Sequence, residues 1–145
     1  MEGVGVGLGA CRRDSEGGLV WAVAVQEVEC REVSVIEAEA ILLGLKEARR
    51  MGMRSITIES DCLGVVEDLK KKLRVRSELC LIYDDILNIS ASFDSVLFTY
   101  VSRNFNRLAH LVSHAMPWHV GRRFWMSDYP LNFVDVASSD LRGMN

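Results

Sequence analysis

Two acidic side chains stand where they could do chemistry. Asp61 follows the strand-like run "SITIES" (55 to 60) and leads at once into the helix-like "CLGVVEDLKKKL". That places a carboxylate at the carboxyl end of a strand, where α/β sheets present their reactive groups. Glu39 lies 22 residues earlier, in the helical run "EAEAILLGLKEARR". Carboxylates in such a pair could ligate a hard divalent cation through oxygen. Asp61 has a second reading on local sequence alone, as the N-cap of the following helix, a role aspartate fills well. Helical periodicity does not separate Glu39 from Glu37, because both lie about 100° from Ala38, near the centre of the apolar stripe. His110 and His114, at i and i+4, share a helix face at the spacing of a metal site. No third ligand stands near them in sequence, and a helix histidine is usually a packing residue.

These side chains need elements to hold them. At 145 residues, 49% hydrophobic and with only two prolines, the chain suits one packed domain and is too short for two comfortable ones. The run "VGVGLGACRR" (4 to 13), turn chemistry in "DSEGG" and the β-branched "LVWAVAVQEV" (19 to 28) predict a hairpin. Ser34 as N-cap, with Glu37 three residues on, predicts a capping box for the next helix, and Gly52 a stop. The strand at 55 to 60 and a helix with Leu63, Val66, Leu69 and Leu73 at helical spacing come next. Residues 76 to 92 predict another helix, with Leu79, Ile82, Ile86 and Leu87 on one face, and "SVLFTYVS" (95 to 102) a strand. A last helix starts near Asn106, carries Leu108, Leu111, Val112 and Ala115 inward, and ends before Pro117. The fold class is therefore α/β, a mixed sheet flanked by helices. Residues 1–116 are read as the domain and 117–145 as an aromatic, then polar, tail, with Trp118, Phe124, Trp125 and Tyr129 as core or edge cover.

Charge and cysteines narrow the class. The formal net charge of −3 argues against a protein that holds nucleic acid by overall basicity. Positive charge is nevertheless concentrated in "KEARR", "KKKLRVR", "RNFNR" and "GRR", which become a phosphate track if the fold gathers them and are otherwise solvated helix faces. The four cysteines stand singly, with neither zinc-ribbon nor disulfide-framework spacing, and reduced thiols are expected. No apolar run reaches the roughly 18 residues of a membrane span and no signal-like opening is seen, so an intracellular protein without membrane contact is expected.

The order "RRDSEGG", "EAEAILLGLKEA", "ITIESDCLGVVEDL", "VSRNFNRLAHLVSHA" resembles the ribonuclease H type 1-like domain, in particular the plant branch related to retrotransposon reverse transcriptases. The resemblance covers about residues 4 to 116. It implies a fold in which four carboxylates hold two magnesium ions that cut the RNA strand of an RNA/DNA hybrid. By position, Glu39 matches the family's helix glutamate and Asp61 its strand-end aspartate. His110 stands where the family has its last aspartate, and histidine suits zinc or manganese better than magnesium. The family's opening strand, which carries the first acid, has no match here. A sheet without that central strand is expected to expose two strand edges, open to a partner strand or a second copy. Asp14 and Glu16, in the hairpin turn, do not replace the missing acid.

The resemblance thus implies a nucleic-acid-binding domain, for RNA/DNA hybrid or RNA, whose cleavage with Mg2+ or Mn2+ is weak or lost. The alternative is a non-enzymatic interaction module or the relic of a mobile element. Lys70, Lys71, Lys72, Arg103, Asn104, Asn106 and Arg107 are the expected nucleic-acid contacts, and Glu39 and Asp61 the expected metal ligands.

Overall fold

The elements, in chain order, are β1 (Val6–Arg13), β2 (Leu19–Glu27), α1 (Val33–Arg50), β3 (Ser55–Ser60), α2 (Leu63–Lys71), α3 (Glu78–Ser90), β4 (Ser95–Tyr100), a 3-10 turn (Arg103–Asn106), α4 (Arg107–Ser113), β5 (Gly121–Trp125) and α5 (Leu131–Gly143). They come from a computed structural model that describes residues 6–13, 16, 18–27, 32–71, 78–114, 121–127 and 129–143. The expectations for Asp14, Lys72, Leu73, Ala115, Pro117 and Trp118 lie outside those residues. The chain divides into two units, Met1–Cys30 with Asn104–Asn145, and Arg31–Arg103.

In the first unit the hairpin forms as its alternation predicts, with Gly9 opposite Ala24 and Cys11 opposite Ala22. Ala22 and Ala24 turn one face of β2 into a shallow floor, and α4 lies on it through Leu108 and Val112. The helix comes close enough that a Cβ on Gly9 would stand 2.8 Å from the Ala109 carbonyl oxygen and clash with the Ser113 backbone. Trp21 and Val23 fill the opposite face of β2 and are buried.

In the described part of the tail, Phe124, Trp125 and Tyr129 are core or edge cover as expected, but they belong to elements that the composition does not announce. β5 pairs antiparallel with β2, Ala22 opposite Trp125, and extends the sheet to the order β1-β2-β5. Trp125 and Phe133 meet edge to face at 5.1 Å in the core, while Phe124 stacks on Trp21 at 6.1 Å. Tyr129 donates its hydroxyl to the Val20 carbonyl at 2.6 Å. Aromatic burial of this size decides the element where local propensity does not.

In the second unit α1 buries Val35, Ala38, Ile41, Leu45 and Ala48 at helical spacing and packs chiefly on α3, which offers Ile82, Tyr83, Ile86 and Ile89. The expected capping box is not made. Glu32, extended at φ −61° and ψ 149°, takes the capping position and its carbonyl accepts Ile36 N–H at 3.0 Å, so Ser34 is already inside the first turn. The stop at Gly52 holds. Its φ of 76°, with Gly52 N–H on Arg49 and Met53 N–H on Ala48, is the paired-bond ending that favours glycine.

β3 and β4 pair in parallel, Ser55 opposite Ser95 through Ser60 opposite Tyr100, joined by α2 and α3. They form a two-stranded ladder, separate from the three-stranded one. On α2 the buried set is Val65, Val66 and Leu69, whereas Leu63 is exposed. Val66 and Leu69 are buried as expected, and the departure is Leu63, which the first turn of the helix leaves exposed while Val65 is buried.

Candidate functional site

The turn that carries Asp61 is built by its neighbours. Ser60 is buried at the end of β3; its hydroxyl oxygen accepts the Cys62 N–H at 3.2 Å and its carbonyl accepts Val101 N–H at 2.9 Å. The chain bends at Asp61, and Val66 N–H bonds the Cys62 carbonyl at 3.1 Å as the first bond of α2. Cys62 thus holds the capping position, and Asp61 stands one residue ahead of it. Asp61 is half-buried and engaged by neighbours.

Glu39 is half-buried on α1, in the same unit as Asp61. Glu37 is half-buried too, so burial of the residue does not separate them. The atoms do: Oε2 of Glu39 is fully buried and receives no hydrogen bond, although the side chain has other interactions. A buried carboxylate oxygen is costly to desolvate, which makes Glu39 the more unusual of the two acids. The sequence did not single out Glu47, which is buried in α1; its Oε2 accepts Arg50 Nε–H at 2.9 Å, a structural ion pair at i,i+3.

Among the described residues no group of three or more His, Cys, Asp or Glu side chains could hold a metal ion. Two carboxylates do not fit a pair of divalent ions, which need more oxygen ligands than these supply. His110 is carried by α4, in the other unit, and His114 is exposed where that helix ends. Glu16 is exposed in the hairpin turn. None of the described cysteines forms a disulfide.

The expected cationic contacts fall in several places. Lys70 and Lys71 are exposed in the last turn of α2, where positive charge complements the helix dipole. Arg103 is exposed and opens the 3-10 turn, which also contains Asn104 and a half-buried Asn106. Arg107 is exposed at the start of α4. On β5, Arg122 and Arg123 are exposed, and the Arg123 guanidinium lies 5.3 Å from the centre of the Trp125 ring. Two residues at the carboxyl end of β3 and β4 were not singled out by sequence reasoning: Ser60, which frames Asp61, and Tyr100, which pairs with Ser60 in register and is exposed. Only the strand register reveals them.

No helix among the described residues is long and apolar enough to cross a membrane. The family model described as "Reverse transcriptase-like" matches residues 2–116. Comparison with curated proteins finds no significant match. Among solved structures, the chain is similar to RNase H1 from the halophilic archaeon Halobacterium salinarum NRC-1, with a TM-score of 0.65 and 19% identity over 74% of this chain and 91% of that one. It is also similar to the N-terminal RNase H domain of a Mycobacterium tuberculosis protein, solved as a fusion with maltose-binding protein; the TM-score is 0.57 and the identity 18%, over 76% of this chain and 94% of that one. At these identities the likeness establishes an RNase H-like fold.

Proposed function

The chain belongs to the reverse transcriptase-like family, and from that premise we propose that it is a nucleic-acid-binding domain, for RNA/DNA hybrid or structured RNA, in which hydrolysis is weak or lost. What supports the second half is the set of residues at the positions matching the family's acids: Glu39 and Asp61 are carboxylates, whereas His110 stands where the family has its last aspartate. Glu39 and Asp61 are the acids we assign to any divalent ion, Mg2+ or Mn2+, that the domain retains. With two carboxylates, a pair of such ions would stay under-ligated and carry excess positive charge, so attacking and leaving oxygens would not both be stabilised.

Support for binding comes from the exposed cations. Lys70, Lys71, Arg103 and Arg107 reach solvent, and Asn106, next to Arg107 in sequence, is half-buried. Contacts of this type go to backbone phosphates and read shape rather than sequence. Lys72, next after Lys71, and Asn104, in the "RNFNR" run, complete the expected contacts; His110 is assigned to the catalytic position of the family's last aspartate, and the plant-branch reading rests on the family's motifs.

A second reading is favoured by the β3–β4 pair. Parallel strands normally sit inside larger covered sheets, and two strands alone are marginal. An added strand from a partner or a second copy would complete the ladder, which makes an interaction module the alternative.

Cleavage of an end-labelled RNA/DNA hybrid, in Mg2+ and separately in Mn2+ beside an Asp61→Asn control, tests the catalytic part. The expected result is binding with little or no cutting. Rapid cutting that disappears in the control would overturn it and make His110 the next residue to change.

A further inference from the structure

We propose that Tyr100, at the carboxyl end of the parallel strands, is a stacking contact for an unpaired nucleobase; this rests on the nucleic-acid-binding reading. Tyr100 pairs in register with Ser60, the residue immediately before Asp61, and Val101 N–H donates to the Ser60 carbonyl at 2.9 Å. Both strands therefore end at one level, with the Tyr100 backbone opposite the residue that precedes Asp61.

Its exposure departs from the pattern of its strand. Val96 and Phe98, on the same face by alternation, are half-buried, yet Tyr100 is 46% exposed. Glu59, by the same alternation, faces the other side of the sheet. Arg103, three residues on, is exposed and supplies a cation for the phosphate that accompanies a base. An aromatic face stacks on any base, and it does so without a charge of its own. The 3-10 turn that begins at Arg103 adds polar side chains but no second exposed ring among the described side chains.

The test compares two probes with the full chain: a blunt RNA/DNA hybrid and the same hybrid with a short single-stranded RNA overhang. Tyr100→Ala is expected to weaken binding of the overhang probe about ten-fold, as for one lost base stack, with the salt slope and the blunt probe unchanged. Tyr100→Phe keeps the ring and is expected to match the wild type. Tyr100→Thr, a good strand former, provides a second ring-free variant should the alanine chain fail to fold. Equal affinities of wild type and the ring-free variants for the overhang probe would overturn the proposal, and so would an equal loss on both probes, which marks a structural effect. Failure of the wild type to bind either probe would overturn the nucleic-acid reading itself and this inference with it.

Discussion

The Ser60 hydroxyl oxygen accepts the Cys62 N–H at 3.2 Å, so one side chain spans Asp61 and closes the bend between β3 and α2. Ser60 is itself buried and tied to β4 through Val101, which makes it the fixed point from which the Asp61 carboxylate is presented. A serine in this place competes for a backbone donor that a helix start leaves unsatisfied.

Ser60→Ala removes that acceptor and leaves a part-buried N–H without it. The expected cost is about 1 kcal/mol, read as a lower midpoint in denaturant at unchanged slope. Hydrogen exchange at the Cys62 amide should quicken in the alanine chain and stay slow in Ser60→Thr, which keeps the hydroxyl. Unchanged exchange in Ser60→Ala would show that the hydroxyl does not hold the bend.

Tyr83 donates its hydroxyl to Asp68 Oδ2 at 2.8 Å and ties α3 to α2. Burial, and then the hydrogen bond to Asp68 and its charge, push the phenol well above the usual 10.0. With the folded-state pKa raised, the unfolded chain gives up its proton first. The stabilisation is therefore complete below pH 10 and is lost as pH climbs above it, at up to about 1.4 kcal/mol per pH unit for this group. Burial raises Tyr129 in the same direction. Tyr83→Phe should lower stability at neutral pH by about 1 kcal/mol and flatten the alkaline fall, which denaturant midpoints between pH 8 and pH 11 would record. An alkaline fall as steep in the variant as in the wild type would assign it to other groups.

Gly9→Ala puts a methyl group against the Ala109 carbonyl and the Ser113 backbone, neither of which can swing aside as a side chain would. Overpacking of that kind should cost about 1–3 kcal/mol, seen as a lower melting temperature. Gly64→Ala is the control, because a Cβ there meets open space within α2 and should be neutral or stabilising. Equal melting temperatures for the Gly9 variant and the wild type would contradict the close approach of α4 to β1.

Lys70→Gln and Lys71→Gln each remove an exposed charge at the end of α2. If they touch phosphates, each should weaken binding of unrelated hybrid sequences alike and reduce the salt slope by about 1. Unchanged slopes would return these lysines to the role of helix-dipole partners.

Much of this fold was legible in the sequence because its signals were local. The period-2 hairpin, the helical stripe of α1, the Gly52 ending and the strand at 55 to 60 all follow from side-chain type within a few residues. The Ser34 cap failed because the choice between Glu32 and Ser34 is set by the conformation in which the chain enters the helix. On α2 the stripe through Val66 and Leu69 was legible, and only Leu63, in the first turn, was misplaced. β5 and α5 stayed hidden because Trp125 and Phe133 gain their burial only against β2 and α4, far away in sequence. In the site, Asp61 was visible from its place at a strand end, and Glu39 only through family resemblance until its buried oxygen set it apart from Glu37. Ser60 and Tyr100 depend on a cross-strand register that no single stretch encodes.

The most direct test of nucleic-acid binding is the affinity of the intact chain for an RNA/DNA hybrid, measured from about 50 to about 200 mM salt. For about three phosphate contacts, affinity should fall on the order of thirty-fold across that range, with log affinity linear in log salt. No binding at the lowest salt, or binding that does not change with salt, would contradict the account and leave the strand-completing interaction module in its place.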